Sequence, residues 1–523
     1  MSAIITDQLR ILNSENFVAG IASTTNSYYV WVGLPNATEN DSDWDTTPPA
    51  PKDSFDEENN YWDTMIALKK INAADIVRVV RKITWTSGTT YEMYRHDYSR
   101  SNLSPQTSST NLYDANYYVM NSDYRVYVCL QNGTNPENTS GRPSLDEPLF
   151  TDLEPRSAGS SGDGYIWKYL FTIKPSDLIK FDSTSFIPLP QNWSTNNDVA
   201  AVRNNASTSG QLKIVTITNR GVGYGTATTY NNVPIKGDGD GGRCSVVVNA
   251  AGKIDSVEIT NGGSEYTFGT VDLSAVGLTN PSGSTDAAFN VIIPPQDGHG
   301  ADIYREMGAY RVLVYSRLEN DATNPDFITG NQFARVGLVR DPFSFGSSDK
   351  LTLSKASATY ALKLTGAGST TASFAADATI TQTIGIGSTA VGRVISWDSN
   401  TGVLKYWQDK TLAGFNTDGT SNTSPTYGFK LFRFTADPTT GAGTTVFGGS
   451  TNLNIDTNFG TSAVPGVSTS INNRTYNLGM SFVKGVANPE VEKYSGDIIY
   501  VDNRASVTRS SQQKEDIKIV LEF

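Results

Sequence analysis

Short apolar runs separated by polar turns dominate the chain, and the run from Gly162 to Pro175 is the clearest of them. On the two-residue period of a strand, Tyr165, Trp167, Tyr169, Phe171 and Ile173 fall on one face, with Ile166, Lys168, Leu170, Thr172 and Lys174 on the other. Burying a large side chain is worth roughly 1.5 to 3 kcal/mol, so this nearly all-aromatic face is expected to anchor a sheet. Gly162, Asp163 and Gly164 supply the turn into it. The run SYYVWVGL, with Tyr28 to Val32 apolar on both faces, predicts a strand covered on both sides. Further strands are expected at DIVRVVRKITW, SDYRVYVCL, GAYRVLVYSRL and NQFARVGLVRDP.

Helical spacing is weaker and confined to the first part of the chain. Leu9, Leu12 and Phe17 suggest an amphipathic helix over Thr6 to Phe17, with Gly20 as its stop. Tyr61, Trp62, Met65 and Leu68 suggest a second over Asn59 to Ile71, after an irregular, proline-rich and acidic excursion from Pro35 to Glu58. The chain's last apolar run alternates again: Ile517, Ile519, Leu521 and Phe523 share a face that needs a sheet to cover it.

Between about Asn205 and Pro295 the pattern repeats. IVTITNRGVGY, ending at Tyr224, recurs as SVEITNGGSEY, ending at Tyr266, and each copy is a strand, an asparagine with glycines suited to positive φ, and a tyrosine. These copies define a small β module. A second Gly/Ser/Thr/Ala-rich region follows from about Phe343 to Val483, with a hairpin signal at Asn400 to Gly402 between two apolar runs.

The 523 residues exceed one ordinary core and suggest about three units on a prior of roughly 150 residues per domain. Low charge (18%), 46 Gly and 22 Pro agree with many strands and many turns. A formal net charge of −12, with no basic cluster, argues against a nucleic-acid partner. No apolar window is long enough for a membrane span, and the opening residues lack the form of a signal peptide, so synthesis and assembly in the cytoplasm are expected.

Candidate chemistry is sparse. With only His96 and His299, a nucleophile–histidine arrangement has little raw material, and each histidine is read as a surface or hydrogen-bonding group. Cys129 and Cys244 sit in strand-like runs and are read as buried free thiols. The glycines Gly221 to Gly225 precede a strand, so they are read as a turn and not as a phosphate loop. Asp238 and Asp240 are the one weak metal candidate, since carboxylates two apart can share a calcium ion, but the preferred reading is a solvated turn. Tyr224, Tyr266, Trp397 and Trp407 could stack on sugars, although packing is the preferred reading for strand aromatics. No acid pair stands out as a glycosidase site. The expectation is a protein without catalytic residues or cofactors.

The segment GDGYIWKYLFTIKP closely resembles the corresponding segment of T4-like phage baseplate wedge proteins of the gene product 8 type. YYVWVG, Trp44 with PPAP, YWDTM, RVYVCL, FARVGLVRDP, SGDIIYVDNR and QKEDIKIVLEF resemble that family in the same order. Ala505 and Asp341 depart from its pattern. The resemblance implies a two-layer β-sandwich core with a few helices and long loops. On that basis, residues 1–204, 298–345 and 484–523 build the core, with 205–297 and 346–483 as inserted β modules. It further implies a virion protein of a contractile-tail baseplate: a homodimer that links neighbouring wedge proteins and transmits their rearrangement during infection. It carries over no catalytic or cofactor residue. The alternative is a recognition protein that binds host glycans through the inserted modules.

Overall fold

The computed structural model describes all residues except 1–2, 36–43, 207–210, 282, 320–326, 328–331, 366–371, 415–420, 422, 440 and 511–512. The protein is mainly β, built from antiparallel sheets with a few short helices. Its chain divides into two compact units that interleave in sequence: residues 1–18, 76–313 and 519–523 form one, and residues 19–75 and 314–518 the other. The segment 1–204, expected to belong to one core, therefore contributes to both units, and each unit contains one of the two modules.

In the first unit, Tyr118–Met120, Arg125–Asn132 and Tyr165–Thr172 form an antiparallel sheet, and Ile76–Arg81 pairs with Phe186–Pro188. Val80 and Ile187 from the second pair share one apolar core with Tyr118, Val126, Tyr127, Trp167 and Phe171 from the first sheet, a sandwich-type arrangement. The helix Asp7–Ala22 begins in this unit. It runs through Gly20, the expected stop. Its buried side is also not the expected one: Leu9 and Leu12 are exposed, whereas Ile11 and Ser14 are buried. The Ser14 hydroxyl lies 2.7 Å from the carbonyl oxygens of both Ile11 and Ala309, which satisfies a polar group on the packed face.

The module at 212–293 has its own core, in which Val233, Ile235, Cys244, Val246 and Ile254 are almost wholly inaccessible. Ile254–Asn261, Arg243–Val248, Thr228–Gly237 and Gly269–Val271 lie in that order in one sheet, and Ala287–Ile292 pairs with Ile214–Arg220. The Leu212 N–H donates to Gly262 O at 2.9 Å, tying the two sheets at one edge.

In the second unit, Tyr28–Gly33 is buried at every position, as its apolar faces predict, between Met65–Lys70 and Gln332–Arg340. The expected helix over 59–71 is half strand. The helix Phe55–Thr64 starts on Ser54, whose side chain accepts from the Glu57 N–H, and Met65 turns extended at ψ 131°. Met65–Lys70 then pairs with Tyr28–Gly33, because a fully buried strand needs partners for its backbone groups on both edges. Of the excursion before it, residues 36–43 lie outside the described residues, and 48–54 carry no regular structure. The second module is built on a seven-stranded sheet that includes the expected hairpin, Ser388–Asp398 with Val403–Trp407, turning through Gly402 at φ 70°.

Candidate functional site

The aromatic strand lies at the centre of the first unit's core. Gly162 and Gly164 have positive φ, and a Cβ on Gly164 would come 2.8 Å from Gly133 Cα, so the tight entry requires glycine. The buried Asp163 carboxylate accepts from the N–H groups of Tyr165 and Leu145. Tyr165 stacks on Trp167 at 5.2 Å, and Tyr91 meets Trp167 edge-on at 5.9 Å. The expected single aromatic face is interrupted. The register slips where Val126 pairs with Phe171 but Tyr127 pairs with Tyr169, leaving Leu170 as the extra residue of a bulge. Tyr165, Trp167, Phe171 and Ile173 are buried as expected, but Tyr169 is only half-buried, and Lys168 and Leu170 on the other face are fully buried. In the strand Lys514–Glu522 the alternation holds, yet only Ile519 is buried, while Ile517 and Leu521 are half-buried.

The two repeat copies fold alike. The side-chain oxygen of Asn219 accepts from the Gly221 N–H at 2.9 Å, and that of Asn261 from the Gly263 N–H at 3.1 Å. Gly221 and Gly263 have φ of 60° and 62°. Tyr224 and Tyr266 lie over these glycines so closely that a Cβ would fall 2.6 and 2.8 Å from the rings. The Tyr224 hydroxyl accepts from Ala287 N–H, and the Tyr266 hydroxyl donates to Ile235 O and accepts from Gly242 N–H. Both tyrosines are buried, as is Trp407; Trp397 is half-buried and donates to Ala372 O.

The titratable groups singled out by type are engaged internally. Asp238 accepts from the N–H groups of Thr267 and Phe268, and its hydrogen bonds with Thr267 hold its carboxyl down at about 2. Asp240 forms a backbone bridge with Ser264 and accepts from the Gly241 N–H. Among the described residues, no group of three or more His, Cys, Asp or Glu side chains is placed to hold a metal. The buried Cys129 and Cys244 are unpaired, and burial raises both thiols, Cys244 to about 11. His96 accepts from the Ile293 N–H through Nδ1. Its pKa is lowered chiefly by burial. His299 is buried with Nδ1 2.7 Å from Glu306 Oε1, while Glu306 Oε2 accepts from the Gly300 N–H.

Two further constellations escaped sequence reading. Lys168, 1% exposed, donates through Nζ to Leu153 O at 2.7 Å and to Asn205 Oδ1 at 2.9 Å. Burial pushes its pKa down to about 8, against the upward pull of Glu306 and Glu154. In turn Asn205 Nδ2 donates to Glu154 Oε1 at 2.8 Å, and Lys213 holds Glu154 Oε2 at 3.0 Å. In the second unit, Asp63 gathers the Tyr494 hydroxyl and, at 2.8 Å, Lys410 Nζ, while Lys493 donates to Asp63 O. Burial also lowers Lys493 to about 8. A polar cleft of about 660 Å³ in the first unit is lined by Arg81, Lys82, Arg311 and Glu522 with several threonines. Arg311 pairs with Glu522 and Lys82 with Asp182.

No protein-family model matches the chain, and no curated protein matches it.

Proposed function

We propose that the protein is a structural subunit of a contractile-tail phage baseplate wedge, working as a rigid connector between neighbouring subunits and not as an enzyme. The observation that carries this reading is the aromatic strand from Gly162 to Pro175, the most specific of several segments that resemble the wedge family in one order. Its buried rings support a stiff body, since close-packed cores deform little and pass displacement on. The burial of His299 and both thiols supports a scaffold, because groups held away from solvent are poorly placed to meet a substrate. A homodimer in contact with other wedge proteins, located in the virion tail, belongs to the same reading. Burial of Tyr224, Tyr266 and Trp407 deprives the glycan-binding alternative of most of the rings it called on.

A side-chain-resolution density map of the intact tail tests the proposal. Density for this chain in the baseplate is the expected result, and a tail whose baseplate lacks it overturns the reading. Light scattering on the purified chain tests the dimer, which a strictly monomeric species at high concentration would refute.

A further inference from the structure

Lys168, Asn205 and Glu154 place an amine, a carboxamide and a carboxylate in one hydrogen-bonded line inside the first unit. The amine is the unusual member. A lysine that is 1% exposed keeps no water shell and here donates to the carbonyl oxygen of an amide at 2.9 Å, one bond from its Cγ carbon. Close packing holds it there: a Cβ on Gly300 would lie 2.8 Å from a Val202 methyl and 3.9 Å from Lys168 Cε. The other end of the amide is also fixed, because Asn205 Nδ2 donates to Glu154 and so turns Oδ1 toward the lysine. Glu154, to which the leaving nitrogen donates, borders a polar cleft with Gln131, Gln211 and Lys213.

We propose that Lys168 and Asn205 join spontaneously in an isopeptide bond, with Glu154 carrying the proton between the two nitrogens. In its neutral form the Nζ lone pair attacks Cγ of Asn205, forming an N–C bond and moving the carbonyl pair onto Oδ1. Glu154 accepts the proton released from Nζ and returns it to Nδ2, both nitrogens then being on the same carbon. Collapse restores the carbonyl, breaks Cγ–Nδ2 and expels ammonia, so the net change is one amine plus one amide giving a secondary amide plus ammonia. No oxidant, metal or cofactor is consumed. The depressed pKa of Lys168, about 8, supplies the neutral amine that attack requires in a way an exposed lysine would not. The product would tie the aromatic strand to the end of the helix Ala200–Asn205, closing a loop across a separation of 37 residues.

The test is the intact mass of the full-length, folded wild-type chain under denaturing conditions, followed by peptide mapping. The expected result is a deficit of one ammonia relative to the sequence, and a branched peptide joining Lys168 to Asn205. Asn205→Ala and Glu154→Gln alter partly exposed positions and are expected to fold and run at their full sequence mass. A wild-type chain at full sequence mass after prolonged alkaline incubation overturns the proposal. So does an ammonia deficit without the branched peptide, since an asparagine that cyclises on its own backbone loses the same mass. A Glu154→Gln chain that links as completely and as fast as wild type overturns the role given to Glu154.

Discussion

Around Trp167 the core is made of large rings stacked or crossed on one another, whereas the repeat module at 212–293 has an aliphatic core and sets its two inward tyrosines on turns. In the first region order follows from how much apolar surface is buried, and the strand can absorb a bulge at Leu170 without losing its place. In the second it follows from backbone shape: two asparagines close two left-handed glycine turns, and the tyrosines lock them by hydrogen bonding across the module. One region should therefore be sensitive to lost volume and the other to added atoms or lost hydroxyls.

The largest effect expected from that contrast is at Trp167. Trp167→Ala should cost about 3 to 5 kcal/mol of unfolding free energy in denaturant titration, the usual range for an emptied aromatic site. A loss under about 1 kcal/mol would show that the rings are not what holds the sheet. Next comes Gly263→Ala, where the new Cβ would stand 2.4 Å from Asp240 O at positive φ. A cost of about 1 to 3 kcal/mol is expected, read as faster amide exchange confined to 212–293. Uniform loss of protection across the first unit would mean that the module and the aromatic core fold as one.

Tyr266→Phe removes two hydrogen bonds and should cost about 1 to 2 kcal/mol, more than Tyr224→Phe, for which one such bond is described. Equal costs would break the proposed lock. The smallest effect is a pH dependence in the second unit. Lys493 is held at about 8 in the folded state, against 10.5 for an ordinary lysine. Between those values the unfolded chain binds more protons, so folding stability should rise as pH increases from about 8 toward 10.5. Lys493→Met should flatten that rise in thermal melts.

What could be read from the residues alone follows the same physical division. Two-residue alternation and an asparagine–glycine–tyrosine spacing are local, so the strand at Tyr165, the hairpin at Gly402 and both repeat copies were legible. The spacing of Tyr61, Trp62, Met65 and Leu68 suits a helix as well as a helix that gives way to a strand, and only the need of Tyr28–Gly33 for a second edge partner decides between them. The bulge at Leu170 depends on register with a strand some forty positions earlier, which no local pattern encodes. Lys168, Asn205 and Glu154 likewise lie 37 and 51 positions apart in their two contacts, and none belongs to a recognisable motif. A lysine in the middle of an aromatic strand was the only available hint.

The interleaved path of the chain has a consequence for its synthesis. Arg10 pairs with Glu522, and Phe17 packs 5.5 Å from Phe523, so the first unit draws on segments more than five hundred positions apart. A nascent chain leaving the ribosome can complete the module at 212–293, but it must hold the helix beginning at Asp7 without its final partner until 519–523 emerge. Closure of the first unit should thus come late, after residues 314–518 have been made, and be slow for its size because its last contacts span the greatest sequence separation.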